Sequence, residues 1–507
     1  MEKKNSFGSG LGFILATAGG SVGLGNLWSF PYKTSQNGGA AFVFVYILSV
    51  IILGLALSVS EMYIGKRAKS NNVTAFKKIS KNLGWIGLIA IVGALLIAFY
   101  YTVIGGYTIK YTVYSFSDTP IDLKAFSGNI GEVILYSGIF LLLAIIIISF
   151  GVKKGIESAS KILMPTLIVI LIGIVIYCLC LGSGVKDGLD FYLNPDFKAL
   201  GAKGILGAMS QAFFSMSVGC GALCAYGSYT GKEIKIGKCA VWVSVFDTAV
   251  ALLAGLAIFP AIYHYKAETG VGLDDNGIVL LFTSMPIIFN TLGVGGKVIS
   301  FFFFGMVAIA AITSLISLIE VAAQYVIQRF KLKRKIVCIF LAIFTFALSI
   351  PIGISLGFSL NDKNVLSIGN LSFLEVLDQI VTTAFIPLSA LLIALCVGWF
   401  MFPVENKKEL FDFRYLSKKL QEEGLDLGKL NYVFAFLIKY VAPVLILGIN
   451  ILGLVDKIFP NSIFEVNGLI VELIGIGLMG VLIGVYFLFL KNKETGDNSV
   501  EDALMSE

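Results

Sequence analysis

Charge is scarce in this chain: 14% of its 507 residues are Asp, Glu, Lys or Arg, against about 25% in an ordinary soluble domain. That shortage excludes a soluble enzyme built around one apolar core. Histidine is nearly missing. The single one, His264, falls at the end of an apolar run. No nucleophile–base set or phosphate-binding loop accompanies it, so the sequence offers no catalytic constellation and does not read as an enzyme. The seven cysteines (Cys178, Cys180, Cys220, Cys224, Cys239, Cys338 and Cys396) lie in or beside apolar runs without metal-ligand spacing. They read as small buried hydrophobes, not as disulfides or metal ligands. A basic segment leading to a small-residue cleavage site is lacking around the first apolar run, which reads as a retained helix. Also lacking are the short alternating segments of about ten residues that mark a β-barrel. The net charge of +6 implies no nucleic acid; its distribution along the chain sets topology instead.

What is abundant is apolar sequence, 57% of the chain. Runs of about 20 apolar residues, each long enough to cross roughly 30 Å of hydrocarbon, recur throughout. They predict an all-α polytopic membrane protein with twelve transmembrane helices near 9–33, 40–65, 84–116, 132–151, 159–182, 203–230, 236–264, 298–328, 335–354, 372–403, 430–455 and 466–490. A short re-entrant or amphipathic piece is expected at 275–292. With both termini cytoplasmic, 27 of the 38 Lys and Arg residues fall on the inside and 9 outside, while Lys33 and Lys439 lie within spans. That excess of basic residues inside fits the rule for cytoplasmic loops. The expected organisation is a core over 1–400, a second unit over 404–490 holding the last two helices and the loop before them, and a polar, acidic, disordered tail over 491–507. The short loops and the lack of an outer cysteine pair fit a bacterial plasma (inner) membrane. Glu61, Glu320, Lys439 and Glu472 fall near span ends or on the periphery, where structural pairing or snorkelling is expected.

Two spans are poorly suited to continuous helix. The first contains Ala18-Gly19-Gly20-Ser21-Val22-Gly23-Leu24-Gly25-Asn26, and the sixth contains Ser215-Met216-Ser217-Val218-Gly219-Cys220-Gly221. Each glycine costs a helix interior about 1 kcal/mol. Unwound backbone at that depth must line a cavity or hold a ligand, because lipid cannot satisfy its N–H and C=O groups. Close packing through small residues is the competing explanation; the accompanying polar residues Ser21, Asn26, Ser215 and Ser217 weigh against it. Each interrupted span opens a group of five, which is the pattern of a 5+5 inverted repeat (9–182 and 203–403) with its ligand site between the halves. Half-helix N-termini attract a carboxylate, and free carbonyls attract a cation. A zwitterionic amino acid with Na⁺ suits such a site.

The run Gly19-Gly20-Ser21-Val22-Gly23-Leu24-Gly25-Asn26-Leu27-Trp28, followed by Phe30-Pro31-Tyr32 and Asn37-Gly38-Gly39, resembles the first helix of the neurotransmitter:sodium symporter family. Gln211-Ala212-Phe213-Phe214-Ser215-Met216-Ser217-Val218-Gly219 resembles its sixth helix, Ala310-Ala311-Ile312-Thr313-Ser314 its eighth and Leu377-Asp378 its tenth. The similarity runs in order from about residue 8 to 400. It implies the leucine-transporter fold and a sodium-coupled amino acid symporter working by alternating access. It also implies two sodium sites. The first would use Ser21, Asn26, Ser215 and Asp247; the second, Gly19, Val22, Ala310, Thr313 and Ser314. The substrate carboxylate would meet amides around Ser21, Gly23 and Gly25 and the Tyr101 hydroxyl. The ammonium would meet carbonyls of Phe214 and Ser215 and the Ser217 hydroxyl. Ile97, Phe214, Val218, Cys220, Ser314 and Leu318 would wall the side-chain pocket, with Phe214 as its lid.

Two departures from the family pattern carry expectations. Asp247 replaces an Asn, so an intrinsic carboxylate would balance sodium and transport would not need chloride. Ser29 replaces an Arg that pairs across the outer vestibule with the acid matching Asp378, supported by Gln211. Either Lys33 takes over, or the outer gate is weaker, or the substrate itself brings the positive charge. The substrate is then a basic amino acid (lysine or arginine) or a hydrophobic or aromatic one. The alternative function is a transport-inactive amino acid sensor or scaffold on the same fold. No nucleic acid partner is expected, and the oligomeric state is left open.

Overall fold

The computed structural model describes residues 6–490 apart from 273–276, 364, 370, 405–406, 426 and 459–462. The expected tail at 491–507, and Lys3 and Lys4, lie outside the described residues. Helix dominates because long apolar runs must satisfy every backbone group internally. In chain order the principal helices are α1 (Gly10–Ser21), α2 (Gly25–Gln36), α3 (Ala40–Ala68), α4 (Gly84–Val113), α5 (Ile130–Ser149) and α6 (Val152–Leu179). Then come α7 (Phe197–Ser215) and α8 (Ala222–Ser228), followed by α9 (Ile236–Thr269), α10 (Gly277–Thr291), α11 (Gly293–Phe330), α12 (Arg334–Leu360), α13 (Phe373–Phe400), α14 (Gly428–Ile451) and α15 (Ile470–Leu488). One antiparallel ladder joins β1 (Ser367–Ile368) to β2 (Leu371–Ser372), with Ser367 opposite Ser372.

Among the described residues, ten helices are long and apolar enough to cross a membrane. The α1/α2 pair, bent by 52°, raises this to eleven if it counts as one span. The remaining expected span is divided between α7 and α8, which the stretch 216–221 separates, and α7 itself bends at Gly201 (φ 58°). The short piece expected at 275–292 is α10.

Burial separates the centre from the rim. In α4 and α11, 78% of the most apolar stretch is inside the protein, against 33% in α5 and α6 and 28% in α15. The rim helices turn residues such as Leu142 and Val169 outward, as a lipid-facing surface requires. Six of the seven cysteines are buried, and all seven are free. Cys180 departs from the expectation: it is exposed, because α6 ends at Leu179 and leaves it in the following turn.

The start of α1 is pinned to α6. Gly151 turns the chain with φ 85°, and a π-helical turn over Val152–Glu157 then opens α6. Glu157 is thereby buried against the start of α1. Its carboxylate accepts from the Gly8 amide at 2.6 Å, the Ser9 hydroxyl at 3.2 Å and the Lys161 ammonium at 2.6 Å. Gly12 gives it room, because a Cβ there would stand 2.6 Å from Glu157 Cγ. We expect Gly12→Ala to displace the carboxylate and free the Gly8 and Ser9 donors. Hydrogen exchange at residues 8–13 would then quicken by about tenfold, a loss of about 1.4 kcal/mol in local stability. Unchanged exchange would disprove the contact's role.

Nearby on the same side, Arg334 opens α12 and pairs with the buried Glu320 of α11, while its Nε donates to the Ile148 carbonyl at 2.8 Å. The Tyr229 hydroxyl donates to Glu320 at 2.8 Å. Glu320 is therefore structurally paired, but inside the bundle and not at its periphery.

Candidate functional site

Two unwound stretches face each other at the centre of the helical core. α1 stops at Ser21, and Val22 is extended (φ −65°, ψ 107°). α7 stops at Ser215, and the next six residues contain three left-handed positions: Ser217 (φ 51°), Gly219 (φ 80°) and Gly221 (φ 77°). Glycine accommodates two of these readily. Ser217 does not, and a non-glycine residue there costs of order 1 kcal/mol. Its hydroxyl donates to the Gly20 carbonyl at 3.2 Å, which ties one stretch to the other. The Ser21 hydroxyl reaches the Met216 carbonyl at 3.4 Å in the opposite sense.

Four fully buried polar side chains meet beside them. The Asn26 amide nitrogen lies 2.9 Å from each of Ser215 Oγ, Asp247 Oδ1 and the Asp247 carbonyl. Ser215 Oγ donates to Asp247 Oδ2 at 2.7 Å. The Tyr46 hydroxyl of α3 lies 3.1 Å from Ser215 Oγ. Charge buried in this way is tolerated only with dense hydrogen bonding. The carboxylate and hydroxyl oxygens of this cluster are ligands of the kind a hard cation takes, while Asn26 turns its amide nitrogen toward them.

A second oxygen-rich contact joins α1 to α11. The Ser314 hydroxyl donates to the Val22 carbonyl at 3.2 Å. Thr313 Oγ1 lies 3.1 Å from the Ile309 carbonyl and 3.0 Å from the Ala310 carbonyl. Gly19 is close by, since a Cβ on it would lie 3.2 Å from Thr313 Cβ. All five residues expected at the second cation site therefore gather at this contact.

Between the unwound stretches lies a small cavity lined by Gly20, Ser21, Gly25, Ile97, Tyr101, Phe214, Ser217, Cys220, Ser314 and Leu318. The Tyr101 hydroxyl faces the Leu24 and Gly25 amides. This group of donors matches a carboxylate. Phe214 lies over Gly25, where a Cβ would come 3.2 Å from its ring.

Gly23, Ser215 and Val218 are not among the residues lining this cavity. The Gly23 amide is taken internally by Asn26 Oδ1 at 3.1 Å. Ser215 turns its hydroxyl to Asp247. Val218 is completely buried.

Ser29 Oγ donates to Gln211 Oε1 at 2.9 Å, and Gln211 Nε2 donates to the Gly25 carbonyl at 2.7 Å. Asp378 of α13 accepts from the Tyr100 hydroxyl at 2.9 Å and lies within electrostatic reach of Lys33. Sequence reasoning missed Tyr46, Tyr100, Gly20 and Glu61. Glu61 was expected near a span end or on the periphery; it is fully buried, and its Oε2 accepts from the Gly219 amide at 2.8 Å. The available signal was a carboxylate within an otherwise apolar span, which marks function more often than snorkelling when it faces the bundle.

A many-span helical protein with two opposed unwound stretches around a small polar cavity has the build of a secondary transporter. The comparisons agree. A profile of the sodium:neurotransmitter symporter family matches residues 4–121 and 121–461, and the chain belongs to that family. It is 31% identical over 474 residues to the uncharacterized sodium-dependent transporter YhdH of Bacillus subtilis (strain 168), covering 90% of this chain and 99% of YhdH. It is 30% identical over 305 residues to the sodium-dependent neutral amino acid transporter B(0)AT2 of Bos taurus, covering 53% of this chain and 42% of that one. The crystal structure of MhsT in complex with L-phenylalanine superposes with a TM-score of 0.77 at 34% identity, covering 88% of this chain and 99% of MhsT. The chain is thus a multi-pass membrane protein of a sodium-dependent transporter family, not an enzyme.

Proposed function

We propose that this chain is a sodium-coupled symporter of a neutral hydrophobic or aromatic amino acid. The observation that carries this reading is the cavity: backbone groups of both unwound stretches at one end, and Ile97, Phe214, Cys220 and Leu318 around it. The main chain and Tyr101 meet the zwitterion, and the apolar wall takes the side chain. The L-phenylalanine bound in MhsT and the neutral substrates in the name of B(0)AT2 support the same class.

In this reading α1 with α2 form the first of twelve spans and α7 with α8 the sixth, in a 5+5 inverted repeat whose core covers 1–400. The last two helices and their connecting loop occupy 404–490. The termini face the cytoplasm of a bacterial plasma membrane. One sodium ion binds among Ser21, Asn26, Ser215 and Asp247, and a second among Gly19, Val22, Ala310, Thr313 and Ser314. Sodium and amino acid enter together from outside, each contributing charge or ligands to the other's site. Loss of the second sodium to the cytoplasm lets the inner half of α1 move away. Coupling follows because the ions favour one arrangement over the other.

Chloride is not required in this reading. The donors that would hold an anion near the first sodium, Ser215 and Asn26, are already directed at Asp247. A chloride ion there would face a carboxylate.

Uptake into proteoliposomes tests these points, with competition by all twenty amino acids. We expect uptake to fall at least tenfold when sodium is replaced by choline, and to be displaced by phenylalanine, leucine or tryptophan. Gluconate in place of chloride should change it less than twofold. Substrate binding without uptake would favour a sensor or scaffold instead. Displacement by lysine and arginine alone would overturn the neutral class.

A further inference from the structure

One residue that borders the cavity, Cys220, sits between two glycines whose peptide groups are each held by a different side chain. On one flank Glu61 accepts from the Gly219 amide at 2.8 Å. On the other, Asn72 Nδ2 donates to the Gly221 carbonyl at 3.1 Å. That carbonyl also accepts from the Ala225 amide of α8 at 2.9 Å. Both glycines are left-handed, and neither has room to spare. A Cβ on Gly219 would stand 2.9 Å from the Ile386 carbonyl oxygen. One on Gly221 would stand 2.6 Å from Asn72 Nδ2 and 3.2 Å from Ala90 Cβ. The stretch is therefore wedged between α13, α4 and Asn72. Asn72 is itself firmly seated. It opens a short helix, Asn72–Lys77, in the link between α3 and α4, and it is buried. Its backbone packs on Gly87 of α4, where a Cβ would come 2.4 Å from the Asn72 carbonyl carbon. The preceding Asn71 caps that helix by accepting from the Thr74 amide at 3.1 Å. Gln328 of α11 fixes the same turn: its Oε1 accepts from the Asn71 amide and Nδ2 at 2.8 Å each, and from the Ser70 hydroxyl at 3.0 Å.

We propose that Asn72 is a positioning residue of the substrate cavity: by holding the Gly221 carbonyl it fixes Cys220 in the wall, and so sharpens discrimination between amino acid side chains of different size. Asn72 does not line the cavity, so it acts through Gly221 and Cys220. The argument is one of stiffness. An apolar pocket separates ligands that differ by one methylene by about 10–200-fold, and it does so only where its wall cannot yield. Backbone with two glycines in three residues is the most yielding kind. Here side chains from α3 and from the α3–α4 link supply the stiffness that a continuous helix would have given. Glu61 restrains the amide side of Cys220, and Asn72 the carbonyl side. Loss of the Asn72 donor leaves the Gly221 carbonyl with its bond from Ala225, so no buried acceptor is stranded there. The expected effect is therefore on selectivity more than on folding.

The inference rests on the amino acid transport reading, and the experiment keeps the two apart. In purified, detergent-solubilised full-length protein with sodium present, affinities are measured for alanine, valine, leucine, phenylalanine and tryptophan. The readout is the ratio of the tightest affinity to the weakest. Asn72→Ala is expected to shrink that ratio by about threefold or more. Added to Cys220→Ala, the same substitution should change the ratio by less than about threefold, because both act at one point of the wall. A general loss of stability would lower all five affinities alike and leave the ratio where it was. A smaller shrinkage in the single variant, or an undiminished effect in the Cys220→Ala background, overturns the inference. So does an unmodified protein that binds all five alike. If Asn72→Ala binds none of them, Asn72→Ser gives the decision by the same threshold, with loss of all binding counting against. Failure of the unmodified protein to bind any amino acid would sink the transport reading instead.

Discussion

Asp247→Asn is expected to weaken sodium activation of uptake by at least a hundredfold, and to make what remains respond to chloride. The reasoning starts from burial. Asp247 is fully enclosed and accepts from Ser215 at 2.7 Å and Asn26 at 2.9 Å. Removing one partner from a buried charged set typically costs 3–5 kcal/mol, because the remaining charge is left uncompensated. In the proposed first sodium site that remaining charge would be the sodium ion, so the cost would fall on its binding. A factor of a hundred corresponds to about 2.7 kcal/mol, slightly below that range. The Asn side chain preserves shape, so the effect reads charge and not packing. With the carboxylate gone, the Ser215 hydroxyl loses its anionic acceptor and Tyr46 stands beside it, a pair of hydroxyls able to donate to an anion. Sodium titrations of uptake in chloride and in gluconate check both halves. Half-maximal sodium within threefold of the original would remove Asp247 from the cation site. Uptake equal in the two anions would remove the argument that its charge replaces chloride.

The spans and the two unwound stretches were legible because a bilayer leaves few choices. An apolar run must be helical, and a cluster of glycines with small polar residues inside one can only face the protein. The run read as 84–116 became Gly84–Val113, and the run read as 236–264 became Ile236–Thr269. Direction around a helix was much less legible. Tyr100 and Tyr101 are adjacent and nearly equivalent by sequence, yet one holds Asp378 and the other borders the cavity. Neighbouring residues point about 100° apart, and nothing in two consecutive tyrosines says which faces which. Gly23 is a similar case. A glycine beside a binding stretch reads as a free amide, and only the fold shows Asn26 folding back to take it. Glu61 was misplaced because α3 was expected to end at 65. It continues to Ala68 and contains a π-helical turn at Val50–Gly54, which shifts the register of everything after it. The carboxylate therefore arrives opposite Gly219, not at a wet helix end.

That placement gives the second large effect. Glu61→Ala is expected to abolish high-affinity substrate binding, with a loss above a hundredfold, and to lower thermal stability. In the 216–221 stretch the amides of Met216, Ser217 and Val218 still reach carbonyls at the end of α7, but from Gly219 onward the buried amides need another acceptor. Glu61 Oε2 takes the Gly219 amide at 2.8 Å, and the amides of Gly221, Leu223 and Cys224 lie around the same carboxylate. Each buried donor left without a partner costs about 1–3 kcal/mol. Ser217, held at φ 51°, has no reason to keep that conformation once the neighbouring segment relaxes. Its hydroxyl would then release the Gly20 carbonyl, and the two unwound stretches would lose a direct tie. Glu61→Gln separates the roles. Its amide oxygen can still accept from Gly219 and fills the same space, so binding should recover to within about tenfold of the original. Sodium-dependent binding of phenylalanine, read beside a thermal melt of each variant, makes the comparison. An alanine variant that binds normally would show that the sixth-span stretch holds its shape without this carboxylate. A glutamine variant as damaged as the alanine one would mean that its negative charge, and not its acceptor geometry, maintains the site.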